Sequence, residues 1–296
     1  MTGAERGWLL LCADLADGLR PLTLPQVRRL RAALRRTEPD LSDPERDLNA
    51  ADLRAIGLDR AASERVLRLL DRAAALDAYL NTALLFEIHP LTVVSPGYPR
   101  RLRERLGEDA PAVLFFRGDP QLLSRPAVSL TGSRSLDAAS ADFARQVGTM
   151  AAQAGKLLVS GNALGADRTA QEACLAAGGC VAAFLPGELN SQTPPARSVF
   201  LTETGWHLPF APYRALQRNR LIYALAGHSL IARTHTSGGT FSGACEALRR
   251  GSGPISVRDD GSPGAMALIE RGAHPVRTLE TLEPPLPAQL SLTDQA

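Results

Sequence analysis

The sequence predicts an α/β fold in which a small all-helical domain precedes a parallel sheet. The main evidence is a pair of short apolar segments, Val128–Thr131 and Leu157–Ser160, which end at Gly132 and Gly161. A stretch of helical composition follows each glycine, and this alternation is typical of βαβα units. The second observation is that the first 88 residues instead carry apolar side chains at helical spacing, which favours packed helices.

These patterns divide the chain into four predicted parts. The boundaries follow the proline-rich connector after the helical segment, the first strand of the βαβα unit, and the prolines near the end. The predicted parts are a helical domain at 1–88, a connector with a flanking strand at 89–127, the sheet domain at 128–279, and a flexible tail at 280–296.

In the helical part, Leu24, Val27 and Leu30 recur at helical spacing. Ser63 is a residue type that caps helices, so we expect one long helix from there to about Leu80. The sheet domain should then alternate strands and helices. Its predicted elements are helices at 137–154, 166–177, 218–225, up to 250 and 265–271, strands at 180–185, 229–232 and 254–257, and an irregular segment at 188–217.

The composition argues against a metal site, a cofactor and a membrane location. The 296 residues carry a formal net charge of +2 and 45% hydrophobic residues, which is enough for a core and gives no global basic signal. The four cysteines lack zinc-site spacing, so neither a metal nor a cofactor is predicted. The apolar run at Trp8–Ala13 is too short for a signal peptide or a membrane span. A cytoplasmic protein without membrane association is therefore expected.

Glycine-rich turns at the ends of the predicted strands are candidate phosphate sites. Ligands of open α/β sheets bind at the carboxyl ends of the strands, and exposed N–H groups at helix starts favour anions. Arg134 adds a guanidinium suited to phosphate. The alternative is that small residues simply meet the needs of tight turns. Neither a dinucleotide fingerprint nor a P-loop is present.

Several ordered motifs resemble those of the DprA/Smf family of DNA-processing proteins. They are Tyr98-Pro99-x-x-Leu102, Gly132-Ser133-Arg134, Val159-Ser160-Gly161-x-Ala163-x-Gly165-x-Asp167, Arg218-Asn219-Arg220-Leu221-Ile222 and Leu268-Ile269-x-x-Gly272-Ala273. The Ile56-Gly57-Leu58 step also resembles the turn of a helix-hairpin-helix module. The similarity extends over almost the whole chain.

The resemblance implies a Rossmann-like fold behind a helical domain of SAM or helix-hairpin-helix type, usually dimeric. It implies sequence-independent binding of single-stranded DNA in DNA uptake and natural transformation, loading of a RecA-type recombinase, and no catalytic activity. Arg218 and Arg220 are expected to bind phosphates at a helix start. Together, the residues and the resemblance predict a DNA- or phosphate-binding site at Gly132, Ser133, Arg134, Ser160, Gly161, Gly165, Arg218, Asn219, Arg220, Ser237, Gly238, Gly239 and Thr240.

The chain departs from the family pattern at several positions. Gln171 stands where a histidine is usual, and Arg233 where an acidic residue is usual; no C-terminal winged helix is expected. The same pocket could therefore serve a nucleotide-binding sensor or a phosphoribohydrolase-like enzyme, although Glu246 lies too far along for the latter. A third alternative is a structural partner of a recombinase that binds neither ligand.

Two further features are open to both functional and structural interpretations. The basic run at Arg100–Arg105 fits either a nucleic-acid contact or a solvated helix face. Phe210 and Tyr213 fit either base stacking or loop packing.

Overall fold

The computed structural model describes residues 1–36 and 49–284, which form eleven α-helices and nine strands. The helices are α1 (Gly3–Cys12), α2 (Leu24–Arg36), α3 (Ala50–Ala55), α4 (Arg60–Leu70), α5 (Ala73–Leu84), α6 (Arg100–Leu106), α7 (Ala138–Gln153), α8 (Ala166–Ala176), α9 (Pro212–Leu225), α10 (Gly239–Arg250) and α11 (Pro263–Ile269). The strands are β1 (His89–Thr92), β2 (Val113–Gly118), β3 (Ala127–Thr131), β4 (Leu157–Ser160), β5 (Cys180–Phe184), β6 (Ser198–Thr202), β7 (His228–Ile231), β8 (Ile255–Arg258) and β9 (His274–Val276).

The chain forms two compact units. Unit 1 comprises Met1–Ser124 and Ala182–Arg218, and unit 2 comprises Arg125–Val181 and the described chain from Asn219 onwards. This division differs from the predicted boundaries at 88 and 127. It passes through β5 and through α9.

Helices α1 and α5 of unit 1 share one hydrophobic core with its strands. Leu9 of α1 and Leu76 of α5 are fully buried in one cluster with Phe115 of β2, Phe200 of β6 and Trp206. Apolar faces of helices are stable only when another element covers them, and here strands supply that cover. The helical segment therefore shares a core with the strands that follow it.

The structure corrects the predicted helix around Ser63. Asp59 is the N-cap of α4, because its carboxylate accepts from the Ala62 N–H at 2.8 Å. Ser63 lies inside the first turn, where its hydroxyl donates to the Asp59 carbonyl oxygen at 2.8 Å. The expected long helix is two helices, α4 and α5. Between them, the buried Arg72 guanidinium donates to the carbonyl oxygens of Leu10 and Ala13.

The predicted irregular segment at 188–217 contains ordered elements that the sequence prediction missed. β6 is buried along its whole length and pairs antiparallel with β2, with Phe115 opposite Thr202. α9 begins at Pro212, a residue whose fixed φ and missing N–H suit the first turn of a helix. The prediction that this helix opens at Arg218 is therefore wrong.

Unit 2 contains the predicted parallel α/β sheet. Its strands follow the order β4-β3-β7-β8-β9, and every pair in that series is parallel. Leu130, Leu158 and Leu230 are fully buried between the sheet and its helices. The α/β fold with a Rossmann-like parallel sheet is thereby confirmed.

The predicted tail at 280–296 differs from the structure in its first residues. Leu282 is buried in the core of unit 2, and Lys156 Nζ lies 2.7 Å from a carboxylate oxygen of Glu283. His228 Nδ1 donates to the Leu282 carbonyl oxygen at 3.1 Å. Residues 285–296 lie outside the described residues.

Two classes of feature are not found in the described ranges. Among the helices of 1–36 and 49–284, none combines the length and apolarity needed to cross a bilayer. The same ranges hold no group of three His, Cys, Asp or Glu side chains placed to bind a metal ion.

Candidate nucleic-acid interface

The carboxyl ends of three strands in unit 2 meet at one edge of the sheet. β3 is parallel to both β4 and β7, with Ser129 opposite Val159 and Thr131 opposite Ile231. The loop that begins at Gly132 therefore opens beside the loops that follow the two neighbouring strands. This is the edge at which ligands of open α/β sheets bind.

Side-chain hydrogen bonds connect the loop after β3 to the start of α10. The Thr240 hydroxyl donates to the Gly132 carbonyl oxygen at 3.1 Å. The Asn219 amide on α9 donates to the Gly239 carbonyl oxygen, also at 3.1 Å. Gly132, Asn219, Gly239 and Thr240, all predicted site residues, are thus brought together.

The loop after β4 contacts the backbone of the loop after β3. The Ala166 N–H donates to the Ser133 carbonyl oxygen at 3.2 Å. Gly165 has φ +85°, and a Cβ atom there would lie 2.5 Å from the carbonyl oxygens of both Ser133 and Arg134. Only glycine fits both the backbone conformation and the space. Gly165 therefore permits this close contact between the two loops.

The first N–H groups of α8 have backbone acceptors, because the Ala166 N–H donates to the Ser133 carbonyl oxygen and the Arg168 N–H donates to the Ala163 carbonyl oxygen, both at 3.2 Å. The Asp167 carboxylate accepts from the Gly161 N–H at 2.8 Å and places a negative charge in the first turn. The Ser160 hydroxyl is fully buried and accepts from the Gln171 side chain. Ser160 and Gly161 therefore anchor the loop after β4 to α8 through buried hydrogen bonds. The Ser160 hydroxyl, which was predicted to be a site residue, is not at the surface.

Like α8, α10 has a glycine N-cap and, within the described chain, no side-chain cap, but its first turn carries no acidic residue in the place of Asp167. The N-cap is Gly238, at φ +92°. Ser237 and Gly238 are exposed, and a Cβ atom on Gly238 would meet no heavy atom within 4 Å. The first N–H groups of a helix lack intrahelical acceptors and carry a partial positive charge. An anion can approach α10 here more readily than it can approach α8.

Arg134 is an exposed cation of this edge. It follows Ser133, whose N–H donates to the Arg233 carbonyl oxygen at 2.9 Å and whose hydroxyl accepts from the Ser135 N–H at 3.1 Å. The backbone next to Arg134 is therefore held on both sides while the side chain faces solvent.

Arg218 and Arg220 do not occupy the predicted position. Both lie inside α9, where backbone N–H groups make the hydrogen bonds of the helix and are not available to phosphate. Arg218 is only 6% exposed, and Arg220 is partly buried. Farther along the helix, the Tyr223 hydroxyl lies 3.2 Å from the Thr131 hydroxyl, so α9 packs on the end of β3.

Sequence reasoning missed a charged pair at this edge. Arg233 follows β7, and its Nη1 donates to the Asp137 carboxylate at 2.6 Å. The pKa of Asp137 is lowered, chiefly because its carboxylate accepts from the Ser140 N–H and hydroxyl, and also because Arg233 is nearby. Asp137 was predicted to begin the helix after β3, but its partner could not be identified without the parallel alignment of β3 and β7.

Glu246, the acid considered for a phosphoribohydrolase, is paired with two arginines of its own helix. Arg249 and Arg250 both donate to the Glu246 carboxylate, and these hydrogen bonds lower its pKa. A carboxylate held ionised in this way is poorly suited to donate a proton to a leaving group.

The basic run on α6 lies in unit 1, as do Phe210 and Tyr213, and Tyr213 is in the first turn of α9 rather than in a loop. Arg100 binds Glu104, and Arg103 packs 5.5 Å above the Tyr98 ring centroid, so each of these charges also has a structural role. Phe210 is 48% exposed and Tyr213 is 57% exposed. Both aromatic side chains are therefore accessible from solvent.

Comparisons with known proteins agree with this architecture. The family model described as DNA recombination-mediator protein A matches residues 89–284. The DNA processing protein DprA of Streptococcus pneumoniae is 28% identical over 212 residues, which cover 67% of this chain and 73% of that protein. The Bacillus subtilis DprA is 26% identical over 222 residues, covering 68% and 72%.

Two solved structures share the fold. The S. pneumoniae DprA structure superposes with a TM-score of 0.72 at 23% identity and covers 93% of this chain and 95% of that one. The Helicobacter pylori DprA structure, described by its single-stranded DNA binding mode, gives a TM-score of 0.56 at 25% identity and covers 67% and 93%. Because the family model spans more than half of the sequence, the chain belongs to the DNA recombination-mediator protein A family.

Proposed function

We propose that this protein binds single-stranded DNA without reading its sequence, along the carboxyl edge of the sheet in unit 2. The observation that carries the proposal is the pairing of an exposed cation with an open helix start. Arg134 lies on the loop after β3, and the Thr240–Gly132 hydrogen bond joins that loop to the uncapped start of α10. A phosphate placed there could interact with both a guanidinium and helix N–H groups.

The predicted site residues then have three different roles. Arg134, Ser237, Gly238, Gly239 and Thr240 face the DNA backbone. Gly132, Ser133, Gly165 and Asn219 shape the loops, as their hydrogen bonds and close contacts indicate. Ser160 and Gly161 support the loop after β4 from buried positions, and Arg220 supplies a partly buried positive charge. Arg218 is buried in the part of α9 that belongs to unit 1, and we assign it no direct phosphate contact.

Family membership supports the wider biological role. The H. pylori relative is described by its single-stranded DNA binding mode, and the family by recombination mediation. We assign this protein to the handling of incoming single strands in natural transformation and to their delivery to a RecA-type recombinase. It would act as a homodimer with two-fold symmetry, the commonest closed assembly. Light scattering should give a dimer mass at micromolar concentration, and a monomer mass would contradict this assignment.

The direct test compares oligonucleotides of equal length. Fluorescence anisotropy should give similar affinities for labelled poly-T and for a mixed sequence, because phosphate contacts do not distinguish bases. A large preference for one sequence would contradict sequence-independent binding. Failure of both strands to bind would contradict the proposed function.

A free nucleotide is the alternative ligand for the same helix start. A ligand present at 100 times its Kd stabilises the folded state by about 2.7 kcal/mol, so a thermal-shift panel can separate the two ligands. Stabilisation by the oligonucleotide alone supports the proposal. Stabilisation by a mononucleotide alone would identify a sensor.

A further inference from the structure

Arg233 contacts both ends of the loop that carries Arg134. At the first end, its carbonyl oxygen accepts from the Ser133 N–H at 2.9 Å. At the second end, its Nη1 donates to Asp137 Oδ2 at 2.6 Å. The exposed segment between Ser133 and Asp137 is therefore tied to one residue at the end of β7.

The two oxygens of the Asp137 carboxylate have separate partners. Oδ1 accepts from the Ser140 N–H at 2.7 Å and caps α7, while Oδ2 binds Arg233. The ion pair can thus be removed while the helix cap is retained. Asparagine caps helix starts about as well as aspartate does.

The exposure of the pair indicates a local role. The Arg233 side chain is 31% exposed and that of Asp137 is 50% exposed. Ion pairs this accessible contribute little to global stability because water screens them. The energetic value of the pair lies instead in restricting a short exposed loop, which reduces the entropy lost when a ligand binds that loop.

We propose that Arg233 is a positioning residue, which holds the loop from Ser133 to Asp137 so that Arg134 is presented to DNA phosphates. This inference rests on the proposed function for the identity of the ligand. It assigns to Arg233 a role distinct from direct phosphate binding, which its positive charge would otherwise suggest.

Three variants separate these roles. Asp137→Asn removes the ion pair and keeps the cap, and Arg233→Ala removes the guanidinium. Arg277→Ala is the control, because it breaks another arginine–aspartate pair, with Asp259 at 2.9 Å, and removes the same charge from the same unit.

The first measurement is made on the free protein. Hydrogen–deuterium exchange on the seconds timescale should be faster between Ser133 and Asp137 in Asp137→Asn and in Arg233→Ala, and unchanged there in Arg277→Ala. The melting temperature should stay close to that of the wild type in all three. Exchange in this loop that matches the wild type in both test variants would overturn the proposal.

The second measurement is affinity for a labelled single strand. Positioning predicts that Asp137→Asn weakens binding about threefold, although the variant is more positive, because the loop is no longer held. A direct phosphate contact by Arg233 predicts tighter binding once Asp137 no longer competes for it. Tighter binding, or affinity equal to wild type, would overturn the positioning role.

A double-variant cycle tests whether Arg233 acts through Arg134. In an Arg134→Ala background, Arg233→Ala should cause no further loss of affinity. An additive loss would identify an independent contact and overturn the proposal. If exchange changes as expected but the wild type binds no single strand, the loop restraint stands and the proposed function fails.

Discussion

Thr240 donates its hydroxyl to the carbonyl oxygen of Gly132 at 3.1 Å, which joins the start of α10 to the loop after β3. The bond fixes an uncapped helix start beside the loop that carries Arg134. Two sources of positive potential therefore keep a constant spacing. Under the proposed function, a phosphate backbone at this edge would contact both without rearrangement of the protein.

Replacement of Thr240 by valine should weaken single-strand binding. The change keeps the side-chain shape but removes the hydroxyl, and a typical hydrogen bond contributes about 1 kcal/mol. Because the bond is already formed in the free protein, we expect the unfolding free energy to fall by about 1 kcal/mol, and the affinity to fall about threefold because the helix start is held less firmly. Ser242→Ala is the control, since Ser242 is an exposed hydroxyl on the same helix. Equal anisotropy titrations for the two variants would show that the link has no role in binding.

Replacement of Gly165 by alanine should disrupt the contact between the two loops. The new Cβ atom would lie 2.5 Å from two backbone carbonyl oxygens, and φ is +85°. Gly155→Ala is a matched control, because its φ is +63° and no heavy atom lies within 4 Å of the added Cβ. We expect a loss of about 1 kcal/mol for the control and clearly more for Gly165→Ala, by urea denaturation. Similar losses in both would mean that backbone strain alone matters at Gly165.

Acid should destabilise unit 2 through His228. Burial lowers the pKa of this imidazole; the Leu282 carbonyl opposes the shift, while His274 and Lys156 reinforce it. Because the folded pKa is below the unfolded value of about 6.5, the unfolded chain binds more protons as the pH falls. The stability present above pH of about 6.5 is therefore lost progressively as the pH decreases towards the folded pKa.

The matching measurement is the melting temperature between pH 8 and pH 5 of the wild type and of His228→Gln, with pH values near about 6.5 sampled most closely. The glutamine variant should lose part of the pH dependence, because it cannot take up a proton. His235→Gln, at an exposed position, serves as the control. An equal acid response in wild type and His228→Gln would exclude His228 as the cause.

Replacement of Tyr213 by alanine tests whether its exposed ring stacks on DNA bases. It is 57% exposed, and Arg214 lies 5.4 Å above its ring centroid. If a base stacks on the ring, Tyr213→Ala should weaken single-strand binding by about 1 kcal/mol or more. Leu216→Ala is the control, since Leu216 is 51% exposed on the same helix and has no aromatic face. Equal effects of the two changes would argue against stacking.

Local signals in the sequence were sufficient to predict most of unit 2. The predicted helix at 137–154 is α7 at Ala138–Gln153, because Asp137 supplies a side-chain cap at the expected position. α8 likewise begins at Ala166, directly after a glycine with positive φ. In both cases the apolar strand, the turn and the capping residue indicate the same boundary.

The missed features depend on contacts between distant residues. β6 is buried by its antiparallel pairing with β2. Its Val199-Phe200-Leu201 run is a local strand signal, but the run is short and follows a proline-containing stretch, so the prediction did not include it. Because α9 begins at Pro212, Arg218 and Arg220 lie in the interior of a helix and not at its start, where they were predicted. The Arg233–Asp137 pair joins residues that are 96 positions apart, so only the sheet alignment reveals it.

The central claim is that Arg134 neutralises DNA phosphate at the carboxyl edge of the sheet. The most direct test is single-strand affinity as a function of salt for the wild type and for Arg134→Ala. The logarithmic slope should be about −0.7 for each phosphate contacted, so the variant should bind about fivefold more weakly with a slope shallower by about one contact. Arg134→Lys should show a partial defect, because lysine keeps the charge but loses the planar fork. Arg249→Ala, which removes an exposed arginine paired with Glu246, should behave as the wild type. If folded Arg134→Ala keeps both the affinity and the salt slope of the wild type, Arg134 does not contact the DNA and the account is contradicted.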